Sequence, residues 1–137
     1  MKESKVSQEF TSDIQTVWDK LTNHEDFSWR EGIRSSVKTG ENTFEEEDSR
    51  GEVSQFTILE WKEPIQYKVQ IESKQAKSIL NYDLKEVQGA TLVTASQRVE
   101  YKKKMSAMLA AMLDLEKLQR RYFYLMKKSL GEIKGFF

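Results

Sequence analysis

The sequence predicts an α+β fold in which a curved antiparallel sheet of seven strands surrounds a long C-terminal helix. Three observations predict it. Apolar residues recur with a period of two over much of residues 33–101, the period lengthens to about 3.6 after residue 104, and the turns between strands are short. Parallel strands would need crossover connections of a dozen or more residues, so we expect antiparallel hairpins. Residues 1–137 have a length typical of a single domain, which is what we expect.

The first 32 residues predict one strand and two short helices. Period-two alternation over Lys5–Phe10 indicates the strand. Ser12 and Gln15 are spaced as a capping box, which favours a helix that ends near Asn23. The segment Phe27–Gly32 then predicts a second short helix or a turn. The apolar face of the first helix comprises Ile14, Val17, Trp18 and Leu21.

Six further strands are predicted, separated by turns that contain glycine, asparagine or proline. In the strand Ile65–Ser73, Tyr67 and Val69 face one side while Gln66 and Lys68 face the other. This pattern is typical of a sheet with one dry and one solvated face. The predicted strands are Ile33–Thr39, Thr43–Ser49, Val53–Trp61, Ile65–Ser73, Ser78–Glu86 and Thr91–Tyr101. On the last two of these strands, the residues predicted to face the dry side are Leu80, Tyr82, Leu84, Val93, Ala95, Gln97, Val99 and Tyr101.

A helical period after Lys104 predicts the element that covers this dry face. Ser106 is a suitable N-cap and Gly135 a suitable terminator, so the helix is predicted over residues 106–134. It would be roughly 43 Å long at about 1.5 Å per residue. It should lie across the sheet, because each element needs the other to bury its apolar side. Its apolar stripe comprises Met108, Ala111, Met112, Leu115, Leu118, Tyr122, Leu125, Met126 and Ile133.

The composition excludes several classes of protein. Cysteine is absent, so the chain has neither disulfides nor thiolate chemistry. No apolar run approaches the roughly 18 residues that a membrane-spanning helix needs, so we expect no stable membrane insertion. The N-terminal residues lack the apolar core of a signal peptide, and a cytoplasmic protein is the expectation.

Charge is balanced overall but unevenly distributed. Residues 1–60 carry 7 basic and 14 acidic side chains, and residues 61–137 carry 15 basic and 8 acidic ones, so the two parts have net charges of −7 and +7. The basic residues are not interleaved with aromatics in a recognisable module, so we expect no nucleic-acid partner. The run Glu45–Asp48 on a strand indicates a soluble edge strand, with the alternative that one carboxylate points inward.

Few residues are suited to catalysis or metal binding. His24, the one histidine, lies beside Glu25 and Asp26, which indicates an exposed loop residue rather than a zinc ligand. The six glycines have no phosphate-binding spacing, and no nucleophile elbow is present, so no metal and no cofactor is expected. The candidates for proton transfer are strand residues, Tyr82, Gln97, Arg98 and Tyr101, for which a core or rim position is the alternative.

The start of the predicted C-terminal helix is rich in methionine and alanine. Methionine adapts its shape and is frequent at binding surfaces that accept varied partners. Alanine on the same stripe removes side-chain volume. A helix of this composition can leave a cavity above the sheet, or it can pack as an ordinary core helix.

Several motifs resemble the START-like, or SRPBCC, superfamily, which includes birch-pollen-allergen-like proteins and polyketide cyclases. Phe10-Thr11-Ser12 followed by Val17-Trp18 resembles the opening strand and helix of that family. Trp29 occupies a position where such proteins often carry an aromatic residue. Leu59–Pro64 resembles a strand ending in E-x-x-x-P, and Gly89-Ala90-Thr91 resembles a GGT turn with one glycine missing. The resemblance covers nearly the whole chain and implies a helix-grip fold, but no catalytic motif accompanies it.

The resemblance also implies a hydrophobic cavity between the sheet and the C-terminal helix. The leading hypothesis is that the chain binds or carries an apolar small molecule such as a lipid or polyketide. The alternatives are an enzyme of the cyclase or aromatase type and a protein-interaction module of the chaperone-activator type. We expect a monomer or weak homodimer. The predicted ligand-binding residues are Trp29, Tyr67, Val69, Leu80, Tyr82, Val93, Gln97, Tyr101, Met108, Ala111 and Met112.

Overall fold

The computed structural model describes residues 2–104 and 114–133. Within them lie seven strands and two helices. The helices are α1, Ile14–Thr22, and α2, Leu115–Ser129. The strands are β1, Lys2–Phe10; β2, Ile33–Lys38; β3, Thr43–Asp48; β4, Val53–Lys62; β5, Gln66–Glu72; β6, Ala76–Val87; and β7, Ala90–Tyr101.

One antiparallel sheet contains all the described strands, in the order β1-β7-β6-β5-β4-β3-β2. Strands β2 to β7 follow one another as hairpins, and β1 pairs with β7 in a register that joins Phe10 to Thr91. The outermost strand at the other edge is β2, whose register with β3 shifts between Ile33 and Ser35. The predicted α+β fold with a seven-stranded antiparallel sheet is confirmed.

Alternation along the central strands separates a dry face from a solvated one. Tyr67 and Val69 of β5 are 5% and 2% exposed, and Val93 of β7 is fully buried. Their sequence neighbours point outward, where the Gln66 amide donates a hydrogen bond of 2.8 Å to Asn81 Oδ1. The sheet therefore presents apolar side chains to the helices and polar ones to solvent.

Helix α1 packs Val17, Trp18 and Leu21 against the dry face, as its spacing predicts. Its N-cap is Asp13 and not Ser12, because the Asp13 carboxylate accepts a hydrogen bond of 3.2 Å from the amide of Thr16. In place of the predicted second short helix, residues 24–32 form a series of turns, the alternative that the sequence also allows.

Helix α2 is shorter than the continuous helix predicted over residues 106–134. Asp114 has an extended backbone and caps the first turn, its carboxylate accepting from the amide of Lys117 at 3.1 Å. A helix therefore begins after Asp114 instead of passing through it. The chain turns at Gly131, whose positive φ of 75° favours glycine. Ser106, Gly135 and the first third of the predicted stripe lie outside the described residues.

The core joins α2 to the sheet through large side chains. Phe123 and Met126 are fully buried, and the Phe123 ring meets Phe10 of β1 edge-to-face with 5.7 Å between centroids. At the far end of the chain, the Glu132 carboxylate accepts hydrogen bonds from the amides of Thr11 and Ser12 and from the Ser12 hydroxyl. These contacts tie the segment after α2 to the turn between β1 and α1.

Candidate functional site

A cavity of about 290 Å³ lies between the dry face of the sheet, the turns after α1 and the first half of α2. Strands β3 to β7 each contribute at least one inward side chain to its floor. The turns contribute Trp29 and Arg30, and α2 contributes residues from its first two turns. The aliphatic part of the wall is formed by Leu21, Val69, Ile71, Leu80, Leu115 and Leu118.

Aromatic rings form much of the remaining wall. Trp29 packs against Tyr122 of α2 with ring centroids 5.2 Å apart. Tyr82 lies between two other tyrosines, stacked on Tyr122 at 6.2 Å and on Tyr67 at 6.4 Å. Flat rings of this kind offer a large apolar contact area at little cost in side-chain entropy.

A second group of rings lies at the β3 side of the cavity. Phe44 is sandwiched between two rings, since His24 stacks on it at 4.0 Å and Phe56 at 4.6 Å. The His24 ring is nearly parallel to that of Phe44, with an interplanar angle of 8°. His24 is therefore a half-buried part of the cavity wall, and the expectation of an exposed loop residue is wrong.

One buried ion pair lines the cavity. The Arg30 guanidinium donates two hydrogen bonds to Glu46, of 3.2 Å to Oε1 and 2.7 Å to Oε2. The two side chains are 16% and 5% exposed. Burial by itself lowers the pKa of Arg30, but the hydrogen bonds and the charge of Glu46 outweigh it, and the pKa is raised. Arg30 therefore stays a cation, and its charge is matched by Glu46.

The pair is extended by a serine and the histidine. The Ser36 hydroxyl lies 3.2 Å from Glu46 Oε2 and 2.8 Å from His24 Nδ1. Burial lowers the pKa of His24 despite the nearby charges of Glu25 and Glu46, so the imidazole is neutral at pH 7. Ser36 lies between the histidine and the carboxylate, whereas a hydrolytic triad needs the histidine between the serine and the acid. This network does not activate Ser36 as a nucleophile.

Three tyrosines supply hydroxyl groups that stay protonated. Burial raises the pKa of Tyr122 to about 12, and it also raises the pKa values of Tyr67 and Tyr82. The Gln119 amide donates to the Tyr82 hydroxyl at 3.5 Å, a long and weak hydrogen bond. At neutral pH these phenols are hydrogen-bonding groups, and they are poorly matched to proton abstraction.

The Trp29 indole leaves a polar group unsatisfied. Its Nε1 atom is buried and has no hydrogen-bond partner among the described residues. Trp18 Nε1 shares this property, but Trp18 is 1% exposed and packs edge-to-face against Trp61 and Tyr67, away from the cavity lining. Trp29 is therefore the unsatisfied indole that belongs to the cavity.

Six of the predicted ligand-binding residues line the cavity: Trp29, Tyr67, Val69, Leu80, Tyr82 and Gln97. Val93 lies deeper, in the fully buried core, and Tyr101 lies at the end of β7; neither lines the cavity. Met108, Ala111 and Met112 lie outside the described residues.

The lining residues absent from the predicted set are about equally polar and apolar, and the polar ones had no signal that placed them in the cavity. Arg30, Glu46, His24 and Gln119 all line the cavity. The interpretation of Glu45–Asp48 as an edge strand is wrong, because β3 lies between β2 and β4. The alternative that one carboxylate points inward anticipated the position of Glu46, but nothing in the sequence paired it with Arg30. Gln119 was not part of the predicted apolar stripe, because its side chain is polar, but it is buried on the same face of α2 as Leu115 and Phe123.

The proton-transfer candidates do not share one site. Arg98 lies on the outer face of β7, where it pairs with Glu3 at 3.2 Å and is 64% exposed. Tyr82 is inside the cavity and Tyr101 is not. Across residues 2–104 and 114–133, no group of three or more His, Asp or Glu residues is arranged to hold a metal ion. In the same residues, no helix is long and apolar enough to cross a bilayer.

Solved structures share this architecture at low sequence identity. A conserved protein from Geobacillus kaustophilus matches with a TM-score of 0.82 and 19% identity, covering 96% of each chain. A START superfamily protein from Mycobacterium smegmatis gives a TM-score of 0.77 at 12% identity, covering 96% of this chain and 99% of the other. Ara h 8.0201 gives 0.70 at 12% identity, covering 92% and 93%. No family model and no curated protein matches the sequence.

These similarities identify the fold. The chain has the START-like, or SRPBCC-like, helix-grip fold, as the sequence motifs predict. The START superfamily protein, Ara h 8.0201 and DynU16, a putative protein in the dynemicin biosynthetic locus, are 10–12% identical to this chain. At that level the likeness identifies the architecture and leaves the ligand open.

Proposed function

We propose that the chain binds and carries a hydrophobic small molecule, such as a lipid or polyketide, in the cavity between the sheet and α2. The observation that carries this proposal is the cavity of about 290 Å³ with walls of aliphatic and aromatic side chains. Its volume lies at the small end of the range of roughly 300–1,000 Å³ that ligand pockets occupy. A ligand of one or two fused rings, or a short acyl chain, fits this volume.

The polar groups of the wall support binding over catalysis. Ser36 is not placed as a nucleophile, His24 holds Ser36 and stacks on Phe44, and the tyrosines stay protonated. The candidates of the cyclase or aromatase alternative are divided between the cavity and the outer face, since Arg98 pairs with Glu3 in solvent. A carrier needs no reacting group, and the cavity fits that role.

The outer face of the sheet gives little support to a protein-interaction module. Its central strands carry hydrogen-bonded polar side chains, with Gln66 donating to Asn81 and Asn81 donating to Asp83, each at 2.8 Å. An interface core is usually depleted in such groups and enriched in large apolar ones. The interior cavity is the stronger candidate for binding.

Filling the cavity tests the proposal. Leu80 lines the cavity from β6, so an indole introduced by Leu80→Trp occupies ligand space. The neutral dye N-phenyl-1-naphthylamine should fluoresce with the wild-type protein and lose most of that signal with the variant. The free energy of unfolding in urea should change by less than the ~1–3 kcal/mol that overpacking a filled core costs.

Ile79→Trp is the matched control, because the neighbouring side chain lies on the outer face of the same strand. It should leave dye binding unchanged. If Leu80→Trp destabilises the protein and increases dye fluorescence, the space is packed core and the proposal fails. Native mass spectrometry of the protein purified from its own host should then identify the ligand directly, as a mass above that of the polypeptide.

A further inference from the structure

Among the described residues that line the cavity, every ionised side chain has a partner of opposite charge. Lys20 pairs with Asp26 at 3.2 Å, and Arg30 pairs with Glu46 at 2.7 Å. Burial lowers the pKa of His24, so it adds no charge at pH 7. Residues 105–113, the segment before α2, contain no Asp, Glu, Lys, Arg or His in the sequence. The described cavity wall therefore offers no unmatched charge to a ligand.

This charge balance disfavours ionic ligands. A carboxylate or phosphate would have to leave water and compete with Glu46 for the guanidinium of Arg30, which already donates two hydrogen bonds to that residue. Burying a charge without a partner is costly, and breaking a buried pair is costly as well. An ammonium ligand faces the same obstacle at Glu46.

One residue of the described wall carries a fully buried hydrogen-bond donor without a partner. Trp29 Nε1 is buried without a partner among the described residues. An indole N–H donates and does not accept, so only an acceptor can satisfy it. Trp29 lines the cavity and is held there by the packing of its ring against Tyr122. A buried donor without an acceptor is unfavourable. Because Nε1 is closed to solvent, the Trp29 ring must turn to admit an acceptor, and a ligand that supplies one removes that cost.

We infer that the ligand is an uncharged, largely apolar molecule with a hydrogen-bond acceptor, such as a ketone or ester carbonyl, that accepts a hydrogen bond from Trp29 Nε1. The inference rests on the proposed function, since it names the chemical class of the molecule in the same cavity. It divides the site into two parts. The aliphatic and aromatic wall holds the apolar body, and the indole orients the molecule by its polar group.

Three naphthalenes of similar size test the two parts separately. The probes are 2-acetylnaphthalene, which is neutral and carries an acceptor; 2-ethylnaphthalene, which has none; and 2-naphthoate, which is anionic at pH 7. Titrations are followed by proton–nitrogen correlation spectra, in which the three tryptophans give three indole N–H signals. We expect the ketone to move the Trp29 indole proton downfield, and the hydrocarbon to bind without that shift. The naphthoate should bind at least ~10-fold more weakly than the ketone.

Trp29→Phe removes the donor and keeps an aromatic ring. It should weaken binding of 2-acetylnaphthalene by about 2- to 10-fold, the value of one hydrogen bond, and leave the dissociation constant of 2-ethylnaphthalene unchanged. Trp61→Phe is the matched control, because Trp61 is half exposed and outside the cavity lining. It should affect neither probe, and it assigns a second indole signal.

Three results would overturn the inference. Tighter binding of 2-naphthoate than of the ketone would show an unmatched positive charge in the cavity. Equal weakening of ketone and hydrocarbon by Trp29→Phe would show that Trp29 provides surface only. If the ketone binds to the wild-type protein and the Trp29 indole signal does not shift, Trp29 donates no hydrogen bond to the ligand. If none of the three probes binds, the proposed function fails together with the inference.

Discussion

Glu46 and Glu47 are neighbours on β3 whose side chains have very different surroundings. Glu46 is 5% exposed and paired with the buried Arg30, whereas Glu47 pairs with Arg34 in solvent at 3.0 Å. A buried ion pair can add little stability compared with apolar residues of the same size. Removing one partner is nevertheless costly, because the other charge is then buried without a partner. Two adjacent carboxylates therefore have unequal consequences for stability.

Glu46→Gln should lower the free energy of unfolding by about 3 kcal/mol, at the lower end of the range for broken buried pairs. The lower end is expected because Gln keeps an oxygen for Arg30 and because water can enter the cavity beside it. Glu47→Gln makes the same change of charge at an exposed pair and should cost no more than ~1 kcal/mol. Urea unfolding followed by circular dichroism measures both. Equal effects would contradict the burial of the Arg30–Glu46 pair as a source of stability.

The polar residues of the cavity wall, Arg30, Glu46 and His24, were harder to predict from the sequence than the apolar ones. Alternation on β3 allowed one carboxylate of Glu45–Asp48 to point inward. Its partner Arg30 lies 16 residues earlier, in turns without any hydrophobic period. Turn conformation is determined by contacts with the rest of the fold, so neither Arg30 nor His24 could be placed before the sheet and α2 were known. The apolar wall was predictable because burial imposes a period on strands.

Among the secondary-structure elements, the strands agree more closely with the prediction from the sequence than the C-terminal helix does. A strand that slips by one residue turns every side chain to the wrong face, so the register is strongly specified by the sequence. The 3.6-residue period continues through Asp114 without interruption, and periodicity alone therefore predicted one helix. Asp114 instead has an extended backbone and caps a helix that begins at Leu115.

Asp114→Ala should shorten or fray the start of α2 and lower the free energy of unfolding by about 1 kcal/mol, the usual value of an N-cap. Asp114→Asn is the control, since it keeps an oxygen that can accept from the Lys117 amide and should be close to neutral. Chemical denaturation compares the three proteins. If Asn were as damaging as Ala, the cap would contribute through its charge and not through its hydrogen bond.

For the whole molecule, Glu132 connects the two ends of the described chain. Its carboxylate accepts from the Thr11 amide at 2.7 Å and from the Ser12 hydroxyl at 2.6 Å. Burial raises the pKa of Glu132, but the hydrogen bonds from Ser12 and Thr11 outweigh it, so the pKa is lowered from its ordinary value of 4.5. The ionised form is therefore the one that the fold prefers.

A lowered folded-state pKa means that the stabilisation is complete above the unfolded value near 4.5 and is lost as the pH falls through the folded value. Glu132→Gln should therefore be less stable than wild type by a constant amount from pH 7 to about 5. The difference should shrink below pH 4.5. Urea unfolding across this range measures it, with Glu86→Gln as a control at an exposed carboxylate of β6. A difference that persists unchanged at pH 3 would refute the contribution of the ionised carboxylate.

The register shift at the start of β2 affects how the molecule meets copies of itself. An open edge strand carries unpaired amides and carbonyls, which can template a strand from another chain and begin aggregation. Here the edge is interrupted between Ile33 and Ser35 and carries the cations Arg34 and Lys38. An incoming strand would meet an irregular strand, the cation Lys38 and the ion pair of Arg34 with Glu47. The irregularity therefore disfavours strand addition at the β2 edge, at a position that adds nothing to the cavity.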